Sequence, residues 1–407
     1  MRQAMARNDG AHGGLLGLAE RVLAPTYRRP ERLFVAGQGA YLEDATGRRY
    51  LDFTSGIAVS ALGHGSEIVA RALGEAAGER ALIHTSNLFH TAPPVELAAE
   101  LVRLSFADRV FFTNSGAEAT EGAVKFARLF GHEAGRAEIV TFDGSFHGRT
   151  LGALAATDRP DYQEPFRPLA GGFVQAPWNE REGLETIGPR TAAAMVEPIQ
   201  GERGIRLADP RWLEALRRRC DEVGALLIFD EVQCGLGRTG TLWAHEAFGV
   251  RPDLMALAKP LAGGLPMGAV LMTERVAAAI RPGCHGTTFG GGPLVARVAL
   301  AVLRTVSRPA FLARVRQRGD ELRHSLQEID SPLIEEVRGR GLFVGVKLTV
   351  PPAEVVAGAL EAGLLLVPAG DGVVRFLPPL NVSAEELALG VERFARALAE
   401  VQTDGKR

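Results

Sequence analysis

A pair of carboxylates at the end of an apolar run is the first candidate for chemistry in this chain. Leu226–Phe229 leads directly into Asp230 and Glu231, and ligands bind at the carboxyl ends of strands in open α/β sheets. Asp230 could hold magnesium in a nucleotide hydrolase, pair with a protonated ring nitrogen, or simply cap a helix or face solvent. The magnesium interpretation requires a GxxxxGK[ST] phosphate loop, and the sequence contains none.

A single lysine ends a second apolar run. Leu254–Ala258 precedes Lys259, and Pro260 and the pair Gly263-Gly264 follow it. Burial disfavours the ammonium ion, so a lysine at such a strand end holds a more nucleophilic amine that can attack an aldehyde. A surface lysine at a strand exit is the alternative that this motif leaves open.

A phosphate seat is predicted where another strand passes into a helix. Ser115, Gly116 and Ala117 are small residues at this junction, so a phosphate can approach the free N–H groups at the positive end of the helix. The same residues also fit an ordinary strand–helix turn that binds no ligand.

The glycine-rich stretch Asp143–Thr150 supplies further candidates. Phe146 could stack on a cofactor ring, and the Arg149 guanidinium could bind a substrate carboxylate through two parallel hydrogen bonds. His147 lies between them, although single histidines of this kind are more often structural than catalytic. A core phenylalanine and a surface arginine would fit the same pattern.

A GxGxxG pattern at Gly235–Gly240 suggests a nicotinamide-dependent oxidoreductase as a rival. The pattern indicates a dinucleotide site only when it directly follows a strand and opens a helix. Here the glycines begin several residues after the strand. The next strand ends in Ala258-Lys259, where a ribose-binding acid would be expected, so the context disfavours this interpretation.

These motifs require a sheet that brings strand ends together, and the order of elements predicts one. Buried strands that alternate with helices such as Glu118–Phe130 and Pro210–Val223 are typical of an α/β fold with a doubly wound, mostly parallel sheet. The strands are predicted at Val110–Thr113, Ile139–Phe142, Ala192–Val196, Ala225–Phe229, Leu254–Leu257 and Ala269–Met272.

The two ends of the chain are predicted to form a smaller α+β domain. The first end contributes a hairpin over Tyr41–Phe53. The other end contributes two long helices (Leu294–Val306, Ala310–Ile329), strands near Leu342–Leu348 and Val373–Phe376, and a helix over Ala384–Val401. The predicted organisation is a mobile tail over 1–20, the small domain over 21–66 and 293–407, and the large domain over 67–292.

Composition excludes several classes of function. The chain has 407 residues, 46% of them hydrophobic, and a net charge of −2, so it has no basic field for nucleic acid or an anionic membrane. Its three scattered cysteines argue against a disulfide framework and for a reducing compartment. The sequence offers no metal-ligand spacing, signal peptide or membrane-spanning run, and we expect a cytoplasmic protein without a metal.

Six motifs in one order, from about Thr26 to Leu398, resemble those of the class III aminotransferases, which are fold type I pyridoxal-phosphate enzymes. The motifs are Asn114–Glu118, Phe146–Thr150, Glu197–Glu202, Asp230–Gln233, Ala258-Lys259 and Gly286–Gly291. Within the class the chain is most similar to acetylornithine aminotransferases. The signatures for this are Ser55–Val59, Leu62–His64, His84–Asn87 and Val374–Pro379. Enzymes of carrier-protein-linked lysine and arginine biosynthesis look almost as similar.

The resemblance implies a role for each residue of a cofactor site. Lys259 would bind pyridoxal 5'-phosphate covalently and then move the proton, while Asp230 would keep the pyridine nitrogen protonated. The remaining cofactor-binding residues would be Gln233 at the phenolic oxygen, Val232 and Phe146 on the ring faces, His147 beside them, Ser115, Gly116 and Ala117 at the phosphate, and Thr288 of the partner subunit. A homodimer with shared active sites follows from this last residue.

The resemblance also implies a substrate site at Arg149, Glu202, Thr287 and Arg375. Both arginines would bind carboxylates, and Glu202 would mask Arg375 in one half-reaction and release it in the other. The expected reaction moves the terminal amino group of N-acetylornithine to 2-oxoglutarate in arginine biosynthesis, or a related group in lysine biosynthesis. Ornithine, succinylornithine, 4-aminobutyrate and a carrier-linked lysine remain alternative donors.

Overall fold

The computed structural model of the chain describes residues 14–78 and 80–404. In chain order its strands are β1 Phe34–Gln38, β2 Tyr41–Asp44, β3 Arg49–Asp52, β4 Arg109–Thr113, β5 Glu138–Phe142, β6 Phe173–Ala176, β7 Thr191–Val196, β8 Ile199–Gln200, β9 Arg206–Leu207, β10 Leu226–Asp230, β11 Leu254–Leu257, β12 Gly268–Met272, β13 Ile334–Arg340, β14 Phe343–Leu348, β15 Leu364–Leu365, β16 Val367–Ala369 and β17 Val373–Phe376.

Helices connect these strands. After a helix at 14–22 and a distorted single turn at Ser55–Ala58, the α-helices are Glu67–Ala76, Ala92–Arg103, Gly116–Gly131, Leu151–Ala155, Pro160–Gln163, Arg181–Glu185, Pro210–Val223, Glu274–Ala277, Pro293–Val306, Pro309–Gln327, Pro352–Glu361 and Ala384–Asp404. Short 3-10 helices include Ala244–Phe248 and Lys259–Ala262. The predicted tail over 1–20 lies outside the described residues up to residue 13, and its remainder is helical.

The largest sheet has seven strands in the order β4-β12-β11-β10-β7-β5-β6. Strand β12 is antiparallel to β11 and β4, and the other neighbours run parallel. The prediction of an α/β fold with a mostly parallel sheet is therefore confirmed. Every strand predicted for this sheet is present, and β6 at its edge is an addition that the sequence analysis did not contain.

Burial on both faces explains why the central strands are continuous apolar runs. In β10 the side chains of Leu226 and Ile228 pack into a core shared with helix Gly116–Gly131. The alternating residues Leu227 and Phe229 pack into a second core on the opposite face, shared with helix Pro210–Val223. The sheet is thus held between helices on either side.

The two ends of the chain meet in smaller sheets. The N-terminal hairpin forms a four-stranded sheet, β1-β2-β3-β15, in which the C-terminal strand β15 runs parallel to β3. Strands β13, β14, β17 and β16 form another sheet beside helices Pro309–Gln327 and Ala384–Asp404. The domain boundaries at 67 and 293 stay a prediction.

Local signals set the helix ends. The Asp209 carboxylate accepts the N–H groups of Arg211 and Trp212 at 2.7 and 3.1 Å, and Gly224 ends the same helix with a left-handed φ of 72°. At the start of the last helix, Ser383 and Glu386 form the reciprocal hydrogen bonds of a capping box.

No helix within 14–78 and 80–404 is both long and apolar enough to cross a membrane.

Candidate active site

The carboxyl ends of three adjacent parallel strands carry three ionisable side chains. Glu197 directly follows β7, Asp230 ends β10, and Lys259 follows β11 at the start of a 3-10 helix. All three line one cavity of about 380 Å³. The segments after β4 and β5 reach the same cavity, so one sheet edge gathers every predicted motif except Gly286–Gly291.

Lys259 is half-buried in this cavity. Burial lowers the pKa of its amine, against the opposing effect of Glu202, Asp230 and Glu197. Within the described part of the chain the amine makes no hydrogen bond or ion pair. The alternative of a surface lysine at a strand exit is therefore wrong, and the amine is available to react with an aldehyde in the cavity.

Asp230 is buried and hydrogen-bonded to His147. The His147 Nδ1 atom lies 2.8 Å from Asp230 Oδ2, and the Val232 N–H donates to Oδ1 at 3.0 Å. Because a carboxylate only accepts, the contact requires a proton on Nδ1. The backbone of His147 is fixed in turn by hydrogen bonds to the Thr120 and Thr157 hydroxyls. His147 therefore orients the carboxylate that faces the cavity.

Glu197 is a buried acid to which the sequence analysis gave no role. Its carboxylate accepts the N–H groups of Phe146 at 2.8 Å and Gly201 at 3.3 Å. Burial, together with the negative charge of Asp230, raises its pKa. Glu197 ties the segment that carries Phe146 to the segment that carries Glu202. The signal was present in the sequence, since Glu197 ends an apolar run just as Asp230 does.

Ser115, Gly116 and Ala117 line the cavity at the start of helix Gly116–Gly131. The Ser115 side chain accepts the Glu118 N–H at 3.2 Å and so caps the helix. A Cβ atom at Gly116 would lie 2.7 Å from Val232 Cγ1, so only glycine fits between the helix and that side chain. The helix end faces the cavity with unpaired N–H groups, which suits an anion.

Arg375 is buried and bound to two polar side chains. Its Nη1 atom donates to Glu202 Oε1 at 2.6 Å and to Gln233 Oε1 at 3.1 Å. Burial raises the pKa of Glu202, but the Arg375 guanidinium, together with Lys259 and Gln233, outweighs burial, so the pKa of Glu202 is lowered. Gly201 makes room for this arrangement, because a Cβ atom there would overlap Gln233.

Arg149 and the two predicted threonines have different surroundings. Arg149 lines the cavity, is exposed, and has its Cζ atom 5.6 Å from the Phe146 ring centroid. Thr287 lies outside the cavity, where its hydroxyl accepts from Asn114 at 2.9 Å and its carbonyl from Asn87 at 2.6 Å. Thr288 also lies outside the cavity of its own chain.

The glycine pattern Gly235–Gly240 does not open a helix. The next regular element is the 3-10 helix Ala244–Phe248, so the strand–loop–helix context of a dinucleotide site is missing. Instead, the segment packs tightly against the C-terminal part of the chain. Arg238 donates to the carbonyls of Leu342 and Pro378.

Comparison with known protein families shows which family the chain belongs to. The family described as aminotransferase class-III matches residues 22–398. The chain belongs to the class III aminotransferases, as its six motifs predict, and it is an aminotransferase of fold type I.

Individual relatives are similar over almost their whole length. The chain is 48% identical to acetylornithine aminotransferase 1 of Bradyrhizobium diazoefficiens, covering 94% of this chain and 95% of that protein. The N-acetylornithine aminotransferase of Stenotrophomonas maltophilia is 39% identical with a TM-score of 0.82, covering 96% and 100%. The ornithine aminotransferase of Toxoplasma gondii, in a structure with partial occupancy of pyridoxal phosphate, is 31% identical with a TM-score of 0.93, covering 100% and 99%.

Proposed function

We propose that this aminotransferase uses pyridoxal 5'-phosphate to move the terminal amino group of N-acetylornithine to 2-oxoglutarate. The products are N-acetylglutamate semialdehyde and glutamate, and the reaction belongs to arginine biosynthesis. The observation that carries the proposal is one cavity that contains a free lysine amine, a buried aspartate and a glutamate paired with a buried arginine. The relatives named above support the choice of N-acetylornithine.

The residues around the cavity fit pyridoxal phosphate. The helix end at Ser115, Gly116 and Ala117 suits the phosphate, and the Asp230 carboxylate suits a protonated pyridine nitrogen. Phe146 and Val232 supply apolar contacts for the ring, and Gln233 supplies an amide for its phenolic oxygen. All of these residues line the cavity.

Pyridoxal phosphate supplies an aldehyde that binds amines covalently and a ring that withdraws electrons from the donor carbon. Lys259 would hold the cofactor through its amine. Once the donor has taken that place, the Lys259 amine would be free to accept the proton from the amino-bearing carbon and to return it. The lowered pKa of Lys259 suits this work, because a neutral amine is needed to accept the proton.

The two arginines serve the two half-reactions differently. Arg149 has no carboxylate partner among the described residues and can bind the carboxylate of either substrate. Arg375 is masked by Glu202, which suits an ω-amino donor whose reacting end carries no carboxylate. 2-Oxoglutarate has a second carboxylate next to its keto group, and we infer that Glu202 moves aside to let Arg375 bind it.

The working unit that we propose is a homodimer with shared active sites. The segment around Leu88 and Phe89 exposes large apolar side chains, at 86% and 71%, beside Phe289 at 67%. The His84 ring packs 5.1 Å from Phe289, and the Asn87 side chain donates to the Thr287 carbonyl. The segment of Leu88 and Phe89 therefore lies beside the segment of Thr287, Thr288 and Phe289, and we call their exposed apolar side chains the apolar patch. A second copy of the chain would cover the patch and bring Thr288 of the partner subunit to the phosphate.

A competition between donors tests the substrate. The purified enzyme should show a higher kcat/KM for N-acetylornithine than for ornithine, succinylornithine, 4-aminobutyrate or a carrier-linked lysine peptide, each with 2-oxoglutarate as acceptor. Formation of glutamate and of the semialdehyde should occur in equal amounts. A higher value for any other donor would overturn the substrate while leaving the aminotransferase class in place.

A further inference from the structure

We propose that Tyr162 is a positioning residue whose ring holds the Arg149 guanidinium at the edge of the cavity, ready for a substrate carboxylate. The inference rests on the proposed function, which assigns Arg149 to that carboxylate. Tyr162 belongs to none of the sequence motifs and lies in the short helix Pro160–Gln163. The Arg149 Cζ atom lies 3.5 Å from the centroid of its ring.

A ring can fix an arginine without neutralising it. An aromatic face attracts a guanidinium through its quadrupole and occupies none of the five N–H donors. A carboxylate in the same place would cancel the charge and take up those donors. Arg149 forms no ion pair with any described residue, and its exposed side chain lines the cavity. Tyr162 therefore orders the side chain while the charge stays available to the substrate.

A second guanidinium shares the ring but is already paired. Arg159 has its Cζ atom 4.1 Å from the Tyr162 centroid. Its Nε and Nη2 atoms donate to the two carboxylate oxygens of Asp161 at 3.1 and 2.9 Å. The hydrogen bond to Asp161 raises the pKa of Arg159, while Arg159 lowers the pKa of Asp161. Of the two arginines on the ring, only Arg149 offers an unpaired charge.

Hydrogen bonds hold the short helix that carries the Tyr162 ring. The Gln163 side-chain amide donates to the carbonyls of Leu154 and Thr157 at 3.1 and 2.7 Å. The Tyr162 N–H donates to the Arg159 carbonyl at 2.9 Å. The two Gln163 bonds attach helix Pro160–Gln163 to helix Leu151–Ala155 and to the segment that follows it. The Tyr162 side chain on this attached helix is half-buried rather than fully exposed.

The test measures binding of glutarate, which is 2-oxoglutarate without its keto group, to the holoenzyme by calorimetry. A cation–π contact corresponds to about a 2- to 30-fold change in binding, and we expect Tyr162→Leu to weaken glutarate binding within this range. Tyr162→Phe should bind glutarate normally, because it keeps the ring and the hydroxyl has no hydrogen-bond partner in the described chain. The KM for 2-oxoglutarate should rise with the Kd, and kcat should change little.

A matched pair outside the cavity provides the control. Arg49 has its Cζ atom 4.3 Å from the Tyr41 ring in the N-terminal sheet, and neither residue lines the cavity. Tyr41→Leu should therefore leave glutarate binding unchanged. Arg149→Gln should weaken it more than Tyr162→Leu does, because it removes the charge itself.

The outcomes separate the inference from the proposed function. Loss of binding in Arg149→Gln with none in Tyr162→Leu would overturn the positioning role and keep the carboxylate site. No loss in either variant would overturn both. Unchanged binding in Tyr162→Phe together with weakened binding in Tyr162→Leu would support the inference.

Tyr162→His adds a measurement that does not depend on how Tyr162→Leu folds. Its neutral imidazole can still stack on Arg149, but protonation places a further positive charge between the Arg149 and Arg159 guanidiniums, which lower the pKa of the imidazole below its usual value of about 6.5. Glutarate binding by this variant should weaken as the pH falls below that value, more steeply than binding by the natural protein. The same pH dependence in both proteins would contradict the inference.

Discussion

At the scale of single residues, the buried pair of Glu202 and Arg375 is the feature that most limits the possible chemistry. Its 2.6 Å contact keeps the Arg375 charge away from the substrate, and Gln233 binds the same guanidinium. An enzyme that accepts an ω-amino donor and an α-keto acid in one cavity needs this arginine in only one half-reaction. In the proposed function, opening and closing of this ion pair would supply both states.

Replacing Glu202 by alanine should unmask Arg375 permanently. We expect kcat/KM for glutamate to rise relative to that for N-acetylornithine by about tenfold or more, which corresponds to at least about 1.4 kcal/mol of relative transition-state stabilisation. The measurement is the ratio of the two values in the variant and in the natural protein. Glu202→Gln, which keeps the shape, is the control, and an unchanged ratio in Glu202→Ala would refute the masking role.

The lowered pKa of Lys259 predicts the pH range in which its amine reacts with an aldehyde. Burial lowers the folded-state pKa, so the neutral amine appears at lower pH than in an ordinary lysine, whose pKa is about 10.4. The rate at which pyridoxal phosphate binds the cofactor-free protein should therefore rise with a midpoint below that of a lysine peptide measured alongside. A midpoint equal to that of the peptide would contradict the effect of burial.

At the scale of elements, six strands of the large sheet point their carboxyl ends to one edge, and a motif follows or ends five of them, all except β6. The ends of these strands could be predicted from the sequence because an apolar run stops at a polar residue, as it does at Asp230. Helix Pro210–Val223 was predicted with its correct bounds because Asp209 and Gly224 mark its two ends. Strands β6 and β13 were not predicted, since both lack a fully buried apolar run.

The close contact between helix Gly116–Gly131 and Val232 gives a prediction at this scale. Gly116→Ala places a methyl group 2.7 Å from Val232 Cγ1, and overpacking of this kind costs about 1–3 kcal/mol. We expect a lower free energy of unfolding and weaker pyridoxal phosphate binding, measured by thermal denaturation and absorbance titration. Gly74→Ala, where no atom lies within 4 Å of the added carbon, is the helical control. Equal behaviour of the two variants would contradict the tight fit.

At the scale of the whole molecule, sequence reasoning located the chemistry better than the contacts that support it. The lysine, the aspartate and the predicted phosphate seat each lie at or just after the end of a strand, so local patterns sufficed. Tyr162 gave no signal, because its place against Arg149 depends on how one short helix packs on another. The pairing of Glu202 with Arg375 joins residues far apart in the chain and came from family resemblance alone.

The exposed apolar patch predicts the assembly. Light scattering of the holoenzyme should give twice the 43.4 kDa mass of one chain. Leu88→Glu combined with Phe89→Glu should give a single-chain mass and loss of activity, because charges are not buried in such a contact without partners. Val35→Glu, at another exposed apolar position, should leave the mass unchanged. A dimer that survives the paired substitutions would show that the subunits meet elsewhere.

The central claim is that Lys259 carries pyridoxal phosphate and passes amino groups through it, and the visible absorption spectrum tests this most directly. The purified protein should be yellow, lose the visible band on addition of N-acetylornithine and regain it with 2-oxoglutarate. Lys259→Ala should lack this cycle. A protein that stays colourless after incubation with pyridoxal phosphate, or a Lys259→Ala variant that keeps the full cycle, would contradict the account.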